Sequence, residues 1–132
     1  MQHERDRSRT TGPALEKWYQ FLRWLTPALE KFPRSHKFTL GERIYHGALD
    51  VLDRLIEATY SRQAAPMLLQ ANMGLEKLRF LFRLALDLQL LDPRRHEFAA
   101  RAVDEVGRLV GGWLKAKSAS VPTGGPDAQA AH

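Results

Sequence analysis

A chain of 132 residues, 44% of them hydrophobic, has the size of one domain and enough apolar side chains for a core. The absence of cysteine excludes disulfides, cysteine-ligated zinc and thiol catalysis. Lysine and arginine number 20 against 15 acidic residues, and the net charge of +5 favours an anionic partner. No apolar run has the length of a membrane span and the amino terminus is polar, so we expect a cytoplasmic protein with no membrane partner.

Composition divides the chain into three segments. Residues 1–12 are highly charged and lack periodicity, which predicts a disordered basic arm. Residues 118–132 are rich in small residues, glycine and proline, which predicts a disordered tail. Residues 13–117 between them carry helical periodicity throughout and are predicted to form a four-helix bundle domain.

The first two predicted helices cover residues 13–32 and 40–60. One apolar stripe in the first consists of Trp18, Leu22, Leu25, Leu29 and Phe32. Pro27 interrupts this stripe and predicts a kink or a restart of the helix. Thr39 and Glu42 match a capping box at the start of the second helix.

The third and fourth predicted helices cover residues 66–91 and 93–117. Asp92 is the expected N-cap of the fourth helix, and Pro93 suits its first turn. All three connections are about six residues or fewer, which favours antiparallel neighbours. We therefore predict an all-α fold, an antiparallel up-down-up-down four-helix bundle.

The third predicted helix carries more apolar surface than one bundle needs. On a helical wheel its apolar residues sweep through roughly 240°, whereas a surface helix needs an apolar arc of about 100° or more. The surplus favours a homo-oligomer in which this face is buried between copies. The alternative is a helix that is central within one bundle.

Basic residues are concentrated in the first and third connections, which an up-down bundle brings to the same end. These residues are Lys31, Arg34, His36 and Lys37, together with Arg94, Arg95 and His96. Arg94 and Arg95 are at a helix amino terminus, where a cation is unfavourable, and this favours a functional role. The alternative is ordinary solvation of loops.

A second basic feature runs along the fourth predicted helix, where four cations are spaced by seven residues. This ladder consists of Arg94, Arg101, Arg108 and Lys115. Arg79 and Arg83 project from the third helix. The alternative for these helical arginines is surface ion pairing, such as Arg101 with Glu105 or Arg108 with Asp104.

Fourteen of the 20 basic residues are arginine, which suits bidentate contacts with phosphate. No sequence-reading nucleic-acid motif is present, so binding should be electrostatic and salt-sensitive. The predicted nucleic-acid-binding residues are Arg34, His36, Lys37, Arg79, Arg83, Arg94, Arg95, Arg101, Arg108 and Lys115.

Motifs for catalysis are absent, and we predict neither catalytic residues, nor a cofactor, nor a metal site. Glu42, His46 and Asp50 share a helix face at i,i+4 spacing, and this leaves open a metal or small-ligand alternative. A polar stripe beside the core is the simpler interpretation. The glycines at 107, 111 and 112 are interpreted as sites of close helix packing.

Three stretches in this order resemble a known family: Phe32-Pro33-Arg34-Ser35-His36, residues 75–83 (LEKLRFLFR) and residues 105–114 (EVGRLVGGWL). Together they look like the accessory variability determinant (Avd) proteins of diversity-generating retroelements. That family is similar to the four-helix proteins encoded within intervening sequences of 23S ribosomal RNA genes. The resemblance spans about residues 15–117.

The resemblance implies a four-helix protomer that assembles into a pentameric barrel with a basic surface. It also implies binding to nucleic acid with little sequence preference and to a reverse transcriptase, whose complex makes mutagenised cDNA from template RNA. Arg34, Arg79, Arg83 and Arg108 match basic positions of the family. The expected function is therefore a non-enzymatic accessory subunit of a reverse transcriptase, and the alternative is a structural protein-interaction bundle of the intervening-sequence type.

Overall fold

Four long helices make up most of the protein in a computed structural model, which describes the backbone of residues 2–120 and the side chains of residues 12–117. They are α1 (Gln2–Glu30), α2 (Glu42–Tyr60), α3 (Ala64–Asp87) and α4 (Pro93–Ser120). A short helical turn (Arg34–His36) and a π-helical segment (Lys37–Gly41) lead directly into α2. The described residues contain no strand, and the predicted all-helical, four-helix fold is confirmed.

The helix α1 is two helices joined at Gly12. Gly12 has φ 79° and ψ 163°, a left-handed conformation that glycine adopts without a steric penalty. The backbone before it, from Gln2, is helical, whereas the sequence predicts a disordered arm there. The break at Gly12 falls beside the predicted domain boundary at residue 13. Of the predicted tail, residues 118–120 continue α4 and residues 121–132 are outside the described part of the chain.

Pro27 does not interrupt α1, which continues as one helix to Glu30. The hydroxyl of Thr26 donates a hydrogen bond of 2.9 Å to the carbonyl oxygen of Leu22 beside the proline. Of the two predicted effects of Pro27, the restart is therefore wrong and the kink stays a prediction. α1 ends at Glu30, two residues before the predicted end of this helix at residue 32.

The capping box expected at Thr39 and Glu42 is also absent. The chain is already helical from Arg34, so α2 has no free amino terminus to cap, and the Thr39 hydroxyl instead donates to the His36 carbonyl oxygen at 3.4 Å. At the start of α4, by contrast, the Asp92 carboxylate accepts a 2.8 Å hydrogen bond from the backbone N–H of Arg95. Asp92 is thus the N-cap that the sequence predicts.

The antiparallel arrangement follows from the contacts between helices. The buried indole of Trp18 donates a 2.8 Å hydrogen bond to the Ala48 carbonyl oxygen, which fixes α1 against α2. A Cβ at Gly47 would meet Leu78, and one at Gly74 would meet Val51, so the contacts along α2 rise as those along α3 fall. None of the helices in the described residues is long and apolar enough to cross a membrane.

The core consists of apolar side chains from all four helices. Its largest fully buried members are Trp18, Phe82, Leu25, Ile44, Leu55, Leu68, Leu75, Leu78, Val51, Val103, Val106 and Val110. No charged or polar residue among the described ones is buried with them. The charged side chains of the described residues therefore lie outside this core.

Candidate nucleic-acid interface

The predicted ladder of Arg94, Arg101, Arg108 and Lys115 is carried entirely by α4, and all four side chains are exposed. Twenty-one residues separate its ends, which corresponds to about 32 Å along a helix. The ladder is therefore a continuous line of cations on the surface of one rigid element, as the sequence predicts.

The ion pairs around the ladder differ from the expected ones. Arg101 pairs with Glu97 at 2.8 Å and not with Glu105, whose carboxylate is 2.7 Å from the ammonium of Lys17 on α1. Asp104 is 2.9 Å from Arg79 on α3, so it does not neutralise Arg108. Among the described residues, Arg108 has no ion pair, and neither do Arg94 and Lys115.

The two predicted arginines of α3 differ from each other. Arg79 is held between Glu76 and Asp104, and its Nε donates to Asp104 at 3.0 Å. Arg83 is exposed and has no ion pair within the described part of the chain. Arg79 is thus largely committed to carboxylates of its own chain, whereas Arg83 remains available to an external anion.

Packing of α3 against α4 brings together two arginines that are far apart in sequence. Arg79 and Arg108 line one open cavity of about 460 Å³ between these helices, together with Asn72 and Gly107. The Cβ of any residue at position 107 would be 3.5 Å from the Arg79 guanidinium. The proximity of Arg79 and Arg108 depends on the packing register of α3 against α4, and the hydrophobic periodicity of the sequence does not predict this register.

Both basic loops lie at one end of the bundle, which we call the basic end. In an antiparallel bundle, the connection between α1 and α2 is at the same end as the connection between α3 and α4. Arg95 is 3.8 Å from its neighbour Asp92. Arg34 and Arg94 are exposed and have no ion pair among the described residues. The His36 ring is 2.9 Å from the Ser35 hydroxyl.

The surplus of apolar surface that the sequence predicts for the third helix forms an exposed apolar stripe on α3. Its members are Leu69, Met73, Phe80, Leu84 and Leu88. They are four, seven, four and four residues apart, so they share one face of the helix, and Phe80 is 66% exposed. The core residues of α3 are on the opposite side, so α3 is not the central, fully enclosed helix that was the alternative interpretation.

Two exposed aromatic residues near basic side chains were not predicted. Phe38 is 59% exposed beside Lys37, whose ammonium is 5.8 Å from the ring centroid. Phe98 is half exposed next to the ladder, and its ring is 4.5 Å from that of Trp24. The sequence marks Phe98 as part of an apolar stripe, but no sequence pattern indicates that Phe38 is exposed.

The described residues do not support the metal alternative, nor close packing at two of the three glycines. Within the described residues, no group of three or more His, Asp or Glu side chains could hold a metal ion, so Glu42, His46 and Asp50 do not form such a site. A Cβ at Gly111 or Gly112 would meet nothing within 4 Å, so close packing inside the protomer does not explain these two glycines.

A comparison with protein families decides what this basic helical bundle is related to. The model of the family described as bAvd-like matches residues 14–117, which is nearly the whole bundle. The chain belongs to the bAvd-like family. No curated protein and no solved structure matches it. The bAvd-like proteins are accessory proteins that are generally non-enzymatic.

Proposed function

We propose that this bAvd-like chain is a non-enzymatic accessory subunit of a diversity-generating retroelement in the cytoplasm. It binds the template RNA and the reverse transcriptase, and it supports mutagenic cDNA synthesis and retrohoming. Membership of the family over residues 14–117 supports the accessory role. The catalytic residues for cDNA synthesis belong to the polymerase.

The observation that carries RNA binding is the set of cations with no ion pair among the described residues. Arg94, Arg108 and Lys115 on α4, Arg83 on α3 and Arg34 at the end of the bundle all have exposed side chains. Arginines held in such positions offer bidentate contacts to phosphate oxygens. Phosphate contacts carry no sequence information, which fits binding with little sequence preference.

The proposed complex also contains several copies of the chain. The apolar stripe of α3 extends from Leu69 to Leu88 opposite the core of the protomer, with Lys77 between Met73 and Phe80. Large exposed apolar faces of this kind usually pack against a partner. We propose that the partner is a second copy of the chain and, from the resemblance to the Avd family, that five copies form the assembly.

Titration with a structured RNA at several salt concentrations tests RNA binding. Loss of two phosphate contacts should lower the slope of log K against log salt by about 1.4–1.8. The double variant Arg94→Glu with Arg108→Glu is therefore expected to bind at least about tenfold more weakly than the parent chain. Its helical content should be unchanged in circular dichroism, because both residues are exposed.

A matched control changes the charge by the same amount elsewhere. Arg23 on α1 and Arg62 in the connection between α2 and α3 are exposed, and they are not part of the ladder or of the loops at the basic end. Reversing both should alter RNA affinity much less than reversing Arg94 and Arg108. If the two double variants lose affinity equally, only net charge matters and the ladder is not the interface.

The second candidate function is a structural protein-interaction bundle without a nucleic-acid partner. The exposed stripe on α3 supports it, because such a surface serves protein assembly whether or not RNA is bound. The same titration distinguishes the two candidates. An affinity for RNA that is undetectable at low salt would favour the structural bundle.

A further inference from the structure

Phe38 combines three features that neither the bundle nor its core requires. It belongs to the π-helical segment Lys37–Gly41, a backbone conformation that is rare and often found at functional sites. Its ring is 59% exposed. The ring pairs among the described aromatic residues connect Trp18, Phe21, Trp24, Phe82 and Phe98, and none includes Phe38.

Two open recesses adjoin the Phe38 ring, and Lys37 and Glu30 line both of them. The first, of about 340 Å³, also contains Arg34. The second, of about 330 Å³, also contains Tyr45 and Glu42. The excess of cations is therefore at the first recess, and the second combines aromatic surface with an additional carboxylate.

This arrangement matches the parts of a single nucleotide. An aromatic ring stacks on the face of any base, and exposed rings in a basic groove are the usual means of holding single-stranded nucleic acid. The guanidinium of Arg34 and the ammonium of Lys37 suit a phosphate. The carboxylates of Glu30 and Glu42 would repel a phosphate, but each can accept a hydrogen bond from an exocyclic amino group of a base.

We propose that Phe38 is a stacking platform for one unpaired base of the bound RNA, with Arg34 and Lys37 holding the adjacent phosphate. This inference rests on the proposed function, because it assigns the kind of RNA that the basic end receives. Paired bases are stacked inside their duplex and cannot reach the ring. The basic end therefore selects unpaired nucleotides, whereas the α4 ladder contacts phosphates of any RNA.

The experiment compares two RNAs with the same number of nucleotides, a duplex with an unpaired 3′ extension and a blunt-ended duplex of two strands, which has no loop. Phe38→Ala in the full-length chain should weaken binding to the extended RNA about 5- to 150-fold, which corresponds to the loss of one base–aromatic stack. It should leave binding to the blunt-ended duplex unchanged. Phe38→Trp should restore binding, since it retains an aromatic face.

A fluorescent base reports the stack directly. With 2-aminopurine in the unpaired extension, the parent chain and Phe38→Trp should quench the fluorescence, and Phe38→Ala should not. The matched control is Tyr60→Ala, because Tyr60 is 73% exposed but at the opposite end of the bundle. This control should bind and quench like the parent chain.

The possible outcomes separate this inference from the proposed function. If Phe38→Ala binds both RNAs like the parent, or weakens both equally, no base stacks on Phe38 and the inference is overturned. The proposed function then still stands on the Arg94 and Arg108 variant. If Phe38→Ala keeps its RNA affinity but no longer co-purifies with the reverse transcriptase, Phe38 is a protein contact and the inference is likewise overturned. A parent chain that binds neither RNA overturns both proposals.

Discussion

At the scale of single residues, Gln89 has the least favourable backbone conformation of the described non-glycine residues, with φ 62°. It occupies the left-handed position that ends α3, where the N–H of Leu90 donates to Ala85 at 2.8 Å and the N–H of Gln89 donates to Leu86 at 2.9 Å. These two hydrogen bonds form a Schellman motif, in which glycine is the preferred residue. Gln89→Gly should therefore raise the free energy of unfolding by about 0.5–1 kcal/mol, measured by urea denaturation.

The control for this substitution is Gln89→Val. A β-branched residue tolerates a positive φ poorly, so this variant should be less stable than the parent chain. A Gln89→Gly variant that is destabilised would show that the glutamine side chain contributes more than its backbone conformation costs.

Ion pairs at the same scale show where prediction from the sequence ends. Spacing within α4 predicts an ion pair between Asp104 and Arg108, but in the structure Asp104 pairs with Arg79 of α3. Partners four residues apart can be read from any helix, whereas a partner on another helix requires the register of packing. For this reason the sequence could predict the candidate residues. It could not predict which of them have no ion pair within the protein and can therefore contact RNA.

At the scale of helices, two glycines within helices have opposite surroundings. A Cβ at Gly74 of α3 would be 2.7 Å from Cγ2 of the buried Val51, whereas a Cβ at Gly111 of α4 would meet nothing within 4 Å. Gly74→Ala should lower the free energy of unfolding by about 1–3 kcal/mol, because the stiff Val51 side chain cannot give way. Gly111→Ala should raise it by about 0.5–1 kcal/mol, because alanine favours helix.

Thermal or urea unfolding of both alanine variants checks this pair, and each serves as the control for the other. A stabilised Gly74→Ala would mean that α2 and α3 can separate slightly without cost. A destabilised Gly111→Ala would mean that this glycine is covered by something outside the protomer, such as a second copy of the chain.

The four helices could be predicted because each carries an apolar stripe at helical spacing. The residues at which they begin and end could be predicted less accurately. The apolar residues Leu88, Leu90 and Leu91 continue the pattern of α3 and conceal the turn at Gln89, so the sequence extends this helix to residue 91. The capping-box match at Thr39 indicates a helix start where the chain is already helical. Hydrophobic periodicity describes which face is buried, and it does not distinguish a continuing helix from a turn that buries the same face.

At the scale of the whole molecule, assembly and RNA binding involve neighbouring helices. The apolar stripe is on α3 and the ladder is on α4, which pack against each other. If copies associate through α3, each contributes its own ladder to one shared RNA surface. Several ladders on one assembly bind a long RNA with an affinity that exceeds that of a single ladder without any new contact.

The double variant Phe80→Glu with Leu84→Glu tests this coupling. Both side chains are exposed, 66% and 44%, so the variant should fold with unchanged helical content. Its mass by light scattering at micromolar concentration should fall to that of one chain, since carboxylates in an apolar contact are poorly solvated. Its affinity for a long structured RNA should fall as well, although its ladder is intact, because fewer phosphates are then contacted at once. Tyr19→Glu on α1, where the tyrosine is 51% exposed, is the control and should retain both the mass and the affinity of the parent chain. A parent chain that already has the mass of one subunit under these conditions would remove the assembly from the proposed function and leave the stripe on α3 for a different protein.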